Sequence, residues 1–255
     1  MKKFIYTFGI LSISCLLTTA CSVDVNEDAA KKNEENAGLE IALYQYGNSG
    51  LNQSDGYIQQ ILPLTNDLDE ISEKLFALST NGGAEYCGQV INTATNQLEW
   101  NPNELGLNLV FIAGNEVFNQ GEINYKTTCN LATERGITIN TIYCGDRATG
   151  INTLWEDGAN LGNGNYMNID MNQKTVYVAT PFDKEISDLN DLLNTTYISY
   201  GREGNLKKMN QSTQDLNSEK YGLANKVSRA VSKSSHNYSN YSWDLVDASK
   251  QKNFD

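Results

Sequence analysis

Two carboxylates, Glu85 and Glu116, lie in polar segments where they could do chemistry. Glu116 follows the uninterrupted apolar run from Leu109 to Ala113 and the pair Gly114-Asn115. Two carboxyl groups with separated pKa values can act as general acid and base in hydrolysis, and carboxylate and amide oxygens together can bind a divalent cation. Ligand sites of open α/β sheets lie just beyond the carboxyl ends of the strands, which is where Glu116 stands.

The sequence contains few of the other residue sets that catalysis uses. Its one histidine is His236, in a polar segment, and it has no Cys-x-x-Cys pair. A zinc site or a Cys/His nucleophile therefore has no residues to build on. A Ser/His/Asp set and a glycine-rich phosphate loop are also missing. We expect no enzyme, no catalytic residue and no cofactor, and we keep a hydrolase that uses Glu85 and Glu116 as the weaker alternative.

The first residues have the pattern of a secretory signal. Two lysines precede the apolar run Phe4 to Leu17, which is too short to span a bilayer, and small residues follow. The segment from Leu17 to Cys21 resembles a bacterial lipobox, which implies that Cys21 carries lipid and becomes the mature N-terminus. We expect a protein anchored through this lipid at the bacterial outer membrane or cell surface. Ordinary cleavage before Cys21, giving a soluble secreted protein, is the alternative.

The acidic net charge of the chain limits the classes of binding partner that it can attract. The formal net charge is -12, and removal of Lys2 and Lys3 with residues 1–20 makes it -14. Nucleic acid and anionic lipid headgroups attract Lys/Arg clusters, so this balance argues against both as electrostatic partners. Excess acid favours solubility at an exposed surface, and it can also attract cations or basic partners. A protein partner is the remaining expectation.

Cysteine usage permits one disulfide. After Cys15 leaves with the signal and Cys21 takes lipid, Cys87, Cys129 and Cys144 remain. An oxidising envelope allows one disulfide and one free thiol among three cysteines. Cys87 opens a predicted helix and Cys144 closes a predicted strand, so both should lie at the same edge of the sheet. We therefore predict that any disulfide joins Cys87 to Cys144.

Predicted strands alternate with predicted helices, which favours a mostly parallel sheet with helices on both faces. Asp67 and Glu70 form a capping-box pattern at the start of one helix, and Gly136 is a left-handed cap at the end of another. The predicted strands are Leu39–Tyr46, Tyr57–Leu64, the run from Leu109 to Ala113, Ile137–Tyr143, Tyr166–Ile169 and Lys174–Val178. The predicted helices are Leu68–Leu78, the segment from near Glu85 to Leu98, Tyr125–Arg135, the region around Thr153–Leu161, and Asp183–Leu193.

Composition divides the chain into four parts. Residues 1–20 are the predicted signal, 21–38 a flexible tether, 39–200 an α/β domain and 201–255 a polar, partly helical tail. In the tail, Leu223, Val227 and Val231 recur every four residues and predict a thin amphipathic helix. Because so few apolar residues are available to it, we expect this helix to pack loosely or not at all.

An ordered series of segments from residue 39 to about 178 resembles a von Willebrand factor A domain, a doubly wound α/β module that usually binds other proteins. This resemblance implies a mostly parallel sheet flanked by helices. The family's Asp-x-Ser-x-Ser motif is missing, and the chain has no room before Leu39 for the first, central strand. We therefore expect a sheet incomplete at that strand, which is re-paired, filled by something else, or left as a truncated copy. The segments that carry the resemblance are Leu39–Gly47, Leu68–Leu78 with Thr80–Gly83, Ala113–Asn115, Ala132–Ile137 and Gly158–Tyr166.

Most members of that family bind Mg²⁺ through three loops above the sheet. Here Glu85 is the only ionic ligand near the second loop, and Gly114 and Asn115 stand where the third loop normally offers Asp. We expect no tight metal site. The leading hypothesis is an envelope-anchored protein-interaction module that works without a metal. The alternative is a degenerate paralogue without binding activity. The expected contact residues in the loops are Asn48, Glu85, Tyr86, Asn115, Glu116 and Asp146.

Overall fold

The computed structural model describes residues 39–79, 81–102, 106–170, 178–235, 237–251 and 254. The predicted signal, Cys21, the tether, His236 and nearly all of the predicted strand Lys174–Val178 lie outside these residues. In chain order the elements are β1 (Ile41–Tyr46), β2 (Ile58–Thr65), α1 (Leu68–Ala77), α2 (Cys87–Gln97), β3 (Asn108–Gly114), α3 (Tyr125–Glu134), β4 (Ile137–Tyr143), α4 (Arg147–Asn152), α5 (Trp155–Leu161), β5 (Asn163–Asn168), α6 (Asp183–Thr196), α7 (Gly204–Lys220), α8 (Leu223–Ser234) and α9 (Leu245–Ala248).

The chain divides into two compact units. The sheet unit comprises Leu43–Leu64 and Ser79–Thr175, and the helical unit comprises Thr65–Leu78 and Val176–Asp255 together with the residues up to Ala42. None of the helices in the described ranges is long and apolar enough to cross a membrane.

A parallel sheet of order β3-β4-β5 forms the centre of the sheet unit. Ile112 pairs with Thr141, and Thr141 pairs with Tyr166. The predicted α/β class with a parallel sheet flanked by helices is confirmed. β4 is buried along almost its whole length, as expected for the middle strand of a parallel sheet.

The core of the sheet unit packs between the sheet and its helices. Ile91 of α2, Cys129 of α3 and Trp155 of α5 are fully buried against Ile112 and Ile139 of the sheet. A fully buried side chain of this size contributes about 2 kcal/mol through removal of apolar surface from water. These contacts fix the positions of the strand ends, and hence of the loops that follow them.

β1 and β2 form a separate two-stranded sheet. Among the residues that the structure describes, β1 does not pair with β3, so the re-paired sheet that was one of the expectations is not found there. Tyr46 of β1 and Ile58 of β2 pack against the core of the sheet unit. The two sheets therefore share a core without sharing a ladder of backbone hydrogen bonds.

Local signals in the sequence placed several helix ends correctly. The carboxylate of Asp67 accepts a hydrogen bond from the backbone N–H of Glu70 (2.9 Å), as the capping box predicts. Gly136 has φ +71° after α3, which confirms the left-handed cap. The helix expected around Thr153–Leu161 is α5, and a further helix that was not predicted, α4, precedes it. Leu154, between the two, takes a left-handed φ of 73°.

A buried ionic network holds the helical unit together. The guanidinium of Arg229 on α8 donates from Nη2 to Oδ1 of Asp69 on α1 (2.7 Å) and from Nε to Oδ1 of Asp215 on α7 (2.5 Å). The ammonium of Lys233 lies 2.9 Å from Oδ2 of Asp215, and the hydroxyl of Tyr238 donates to Oδ2 of Asp69 (2.6 Å). Since an unpaired buried charge is costly, each of these groups stabilises the fold only while its partners are present.

The expectation that the helix around Leu223–Val231 packs loosely is wrong. Arg229, Ala230 and Lys233 of α8 are buried, and Val231 is exposed. The buried face of this helix is cationic, and the carboxylates that neutralise it come from α1 and α7. Apolar spacing cannot reveal such a face, because it treats every Arg and Lys as solvated.

The network makes the helical unit sensitive to acid. Burial raises the pKa of Asp215, but Arg229 and Lys233 outweigh it and lower that pKa from 3.8 to about 2. A carboxyl whose pKa is depressed on folding stabilises the fold above pH 4 and loses this contribution as the pH falls towards 2. We predict that the free energy of unfolding decreases by about 2 kcal/mol over this range through Asp215 alone.

Urea unfolding followed by circular dichroism at 222 nm at pH 6 and pH 2.5 measures this effect. Asp215→Asn should remove most of the difference between the two pH values, whereas Asp188→Asn, at an exposed ion pair on α6, should leave it unchanged. Equal acid sensitivity of the two variants would contradict the assignment.

Candidate functional site

Four loops meet beyond the carboxyl ends of β3 and β4, and we call them the rim: residues 47–57, 81–87, 115–121 and 144–146. The turn at Gly82 lies against the loop after β1, since a Cβ on Gly82 would come within 2.8 Å of the backbone nitrogen of Ser49. Asn48 donates from Nδ2 to the carbonyl of Ser79 (3.1 Å). The rim is therefore one continuous surface of packed loops.

The carboxylate of Glu85 is the centre of the rim. Its Oε2 accepts hydrogen bonds from the backbone N–H groups of Asn115 (2.8 Å) and Glu116 (3.1 Å), the first two residues after β3. Burial raises the pKa of Glu85, the two N–H groups lower it, and the neighbouring charge of Glu116 raises it, with a net increase. Glu85 thus acts as an internal anion that satisfies the backbone at the end of the strand.

Gly114 makes this clamp possible. A Cβ at position 114 would overlap Oε2 of Glu85 and come within 2.8 Å of the Tyr46 hydroxyl and 2.9 Å of the Trp155 ring. The Tyr46 hydroxyl in turn donates to the carbonyl of Ala113 (2.6 Å). Any side chain at position 114 would displace the groups that hold the loop in place.

Buried aromatic residues anchor the same loop from below. The indole N–H of Trp155 donates to the carbonyl of Glu116 (2.8 Å), and the ring of Phe118 packs edge-on against Trp155 at 5.0 Å. Both side chains are fully buried. Tyr46 and Trp155 were not among the expected site residues, because only the fold brings a strand tyrosine and a helix tryptophan to this loop.

Some of the expected contact residues lie together in the structure, and others make local contacts elsewhere. Glu85, Asn115 and Glu116 form one cluster, and the ring of Tyr86 meets that of Tyr57 at 5.7 Å beside it. Asp146 caps α4, with its carboxylate accepting from the N–H of Thr149 (2.9 Å), which lowers its pKa. Asp146 therefore stabilises the start of α4, and it lies at the periphery of the rim.

Among the described residues, Cys87, Cys129 and Cys144 are free thiols, so the expected disulfide between Cys87 and Cys144 is not formed in the structure. Cys87 is fully buried in the core and interacts with the Tyr46 hydroxyl. Burial raises the pKa of Cys144 to about 11 and that of Cys129 to about 12. Such thiols are poor nucleophiles at neutral pH, which fits structural rather than reactive cysteines.

No group of three or more His, Cys, Asp and Glu side chains in the described ranges is arranged to hold a metal ion. Near Glu85, the carboxylate of Glu116 accepts hydrogen bonds from Nδ2 of Asn115 (3.3 Å) and Nε2 of Gln120 (3.5 Å). Both carboxylates of the cluster thus have protein donors. An octahedral Mg²⁺ ion would have to compete with these donors for the same oxygens.

Comparison with known proteins does not assign a family. No protein-family model and no curated protein matches the chain. Among solved structures, it is similar to an aerotolerance-related membrane protein from Bacteroides fragilis (18% identity, TM-score 0.39, 52% of this chain and 72% of that one). It is also similar to the conserved hypothetical protein BatB from Bacteroides thetaiotaomicron (18%, 0.39, 56% and 76%). A third likeness is to proximal thread matrix protein 1 from the mussel byssus (12%, 0.37, 60% and 34%).

Gly114→Ala tests the clamp. We expect a loss of about 3 kcal/mol in the free energy of unfolding, because overpacking forces Glu85 and Tyr46 apart from the backbone. Gly136→Ala is the matched control: it has left-handed backbone but open space around it, so only about 1 kcal/mol of backbone strain is expected. Denaturant unfolding of both variants measures the difference, and equal losses would show that Gly114 is not in a crowded position.

Titration calorimetry with Mg²⁺ and Mn²⁺ tests the metal expectation. We predict no micromolar binding, because the available carboxylates are already hydrogen-bonded to the protein. Micromolar binding that Glu85→Ala and Glu116→Gln both abolish would overturn this prediction.

Proposed function

We propose that this chain is a lipid-anchored protein-interaction module of a bacterial envelope, and that its rim contacts the partner without a metal ion. The observation that carries the proposal is the clamp of Glu85 on the backbone of Asn115 and Glu116. It holds the loop after β3 rigid while leaving its tip outside the core. A rigid loop loses little conformational entropy when a partner binds.

The exposed residues of this loop are suited to recognition. Val117 is 39% exposed, although it lies between Glu116, whose carbonyl bonds Trp155, and the buried Phe118. Asn115 and Asn119 of the same loop are also exposed. Tyr57 and Tyr86 add half-buried aromatic rings to the adjoining loops. Apolar and aromatic groups surrounded by amides are typical of protein-binding surfaces.

The engagement of Glu85 also supports a binding role over a hydrolytic one. A general acid or base must reach the proton that it transfers. One oxygen of Glu85 already accepts two backbone hydrogen bonds, and both oxygens of Glu116 accept amide donors. The proposal therefore gives both carboxylates a structural task and assigns no catalytic residue.

The proposed location in the bacterial envelope rests on the sequence of the N-terminal segment alone. The lipobox-like residues up to Cys21 support lipid attachment, and the acidic residues that follow resemble an export tag. Metabolic labelling with a clickable palmitate analogue tests this part. Labelling that Cys21→Ser abolishes is expected, and labelling of the variant would contradict the assignment.

Capture from envelope extracts tests the rim. The double variant Val117→Lys, Asn119→Lys changes two exposed rim positions. The control, Asn130→Lys with Asn160→Lys, makes the same charge change at exposed positions of α3 and α5, outside the rim loops. We expect partners captured by the native chain to be lost at least tenfold with the rim variant and kept with the control. Equal capture by both variants would rule out the rim as the contact surface.

A further inference from the structure

β3 is an edge strand of the parallel sheet. β3 pairs with β4 on one side, and on the other side the structure gives it no strand partner among the described residues. The carbonyl of Gly114 accepts from the N–H of Cys144 (2.7 Å), so alternate residues Val110, Ile112 and Gly114 direct their backbone groups at β4. The backbone groups of Leu109, Phe111 and Ala113 consequently point away from the sheet.

The side chains along this edge are apolar and accessible. Leu109 is 42% exposed and Phe111 39% exposed. An exposed edge is normally protected by Lys, by Pro or by a bulge, because it is a template for pairing with another chain. β3 has none of these, since its sequence is Asn-Leu-Val-Phe-Ile-Ala-Gly and its register with β4 is regular.

Tyr46 shows how much space lies beside this edge. Its hydroxyl, on β1, reaches the carbonyl of Ala113, one of the outward-facing groups. The length of a tyrosine side chain thus separates β1 from β3 at this end, whereas paired strands lie only about 4.8 Å apart. The gap between the two strands is closed at its upper end by Tyr46, and in the described part of the chain β3 has no backbone partner from β1 on this side.

The acidic charge of the segments around this edge favours a basic binding partner. From Leu43 to Leu64 and from Ser79 to Tyr125 the chain has no Lys or Arg. Glu116 follows the upper end of β3. At the lower end, Nδ2 of Asn108 donates to the carbonyl of Asn101 (2.8 Å), and Glu99 lies two residues before Asn101. The acidic residues of these segments are Asp55, Glu85, Glu99, Glu104, Glu116 and Glu122.

We propose that the free edge of β3 accepts an extended segment of a partner protein, apolar at alternate residues and flanked by Lys or Arg. The segment adds a strand beside Leu109 and Phe111, as in other cases of strand addition. Its backbone pairs with the outward N–H and C=O groups of Leu109 and Phe111. Its apolar residues pack beside the exposed side chains, and its basic ends meet Glu99 and Glu116. This surface adjoins the rim only at Glu116.

A synthetic peptide of about seven residues, with alternating Ile and Thr between two terminal lysines, is the probe. We expect it to bind the full chain, and to bind at least tenfold more weakly when alternate amides on its pairing edge are N-methylated. A version with terminal glutamates should also bind at least tenfold more weakly at low salt, with the difference shrinking at high salt.

Matched variants test whether the peptide binds at the edge of β3. Phe111→Lys should weaken binding at least tenfold, whereas Ile151→Lys, at a position that is also 39% exposed, should leave it unchanged. Leu109→Lys gives a second edge variant in case Phe111→Lys fails to fold. Equal binding of the N-methylated peptide, or no effect of either edge variant, would overturn the proposal. So would a dimer in sedimentation equilibrium that Phe111→Lys dissolves, because a second copy would then be the occupant.

A charge-neutral rim variant, Val117→Asn with Asn119→Ala, separates this proposal from the proposed function, because it adds no charge beside Glu116. It should leave peptide binding unchanged. If partner capture depends on the rim while no peptide binds, the edge proposal fails and the proposed function stands. If the peptide binds as expected while rim variants capture partners normally, the edge proposal stands and the rim assignment fails.

Discussion

The hydrogen bonds from the backbone of Asn115 and Glu116 to the Glu85 carboxylate are the interaction on which the rim depends. A strand that ends in a loop leaves N–H groups that must find acceptors, and a buried carboxylate without donors would be equally unfavourable. The Glu85 carboxylate accepts from these N–H groups, and the N–H groups in turn supply the donors that the carboxylate needs. Gly114 leaves the space for this contact, and Trp155 and Tyr46 hold the adjoining carbonyls in place.

The same requirement for partners explains the helical unit. Asp69, Arg229, Asp215 and Lys233 are charged groups that come from three helices and neutralise one another in the interior. Such a network adds little net stability compared with an apolar core, but it is costly when one partner is removed. The unit therefore tolerates few substitutions at these positions, although its exposed faces carry many polar residues.

Sequence patterns predicted the parts of the fold that depend on local physics. The capping pair Asp67 and Glu70, the apolar run of β3 and the glycine after α3 all stand where they were expected, because caps, strand periodicity and positive φ are properties of a few adjacent residues. The engagement of Glu85, the thiol of Cys87 beside Tyr46 and the buried cations of α8 could not be predicted. Each depends on a partner 30 or more residues away in the chain, or on another helix, and one sequence carries no pairing information of that kind.

The edge proposal requires that β3 is a folded strand with one paired edge and one free edge. Residue-resolved amide hydrogen exchange of the full chain tests it most directly, because protection requires a hydrogen-bonded N–H in a stable structure. We expect slow exchange at Val110, Ile112 and Gly114 and fast exchange at Leu109, Phe111 and Ala113. Uniform protection of all six amides, or uniform rapid exchange, would contradict it.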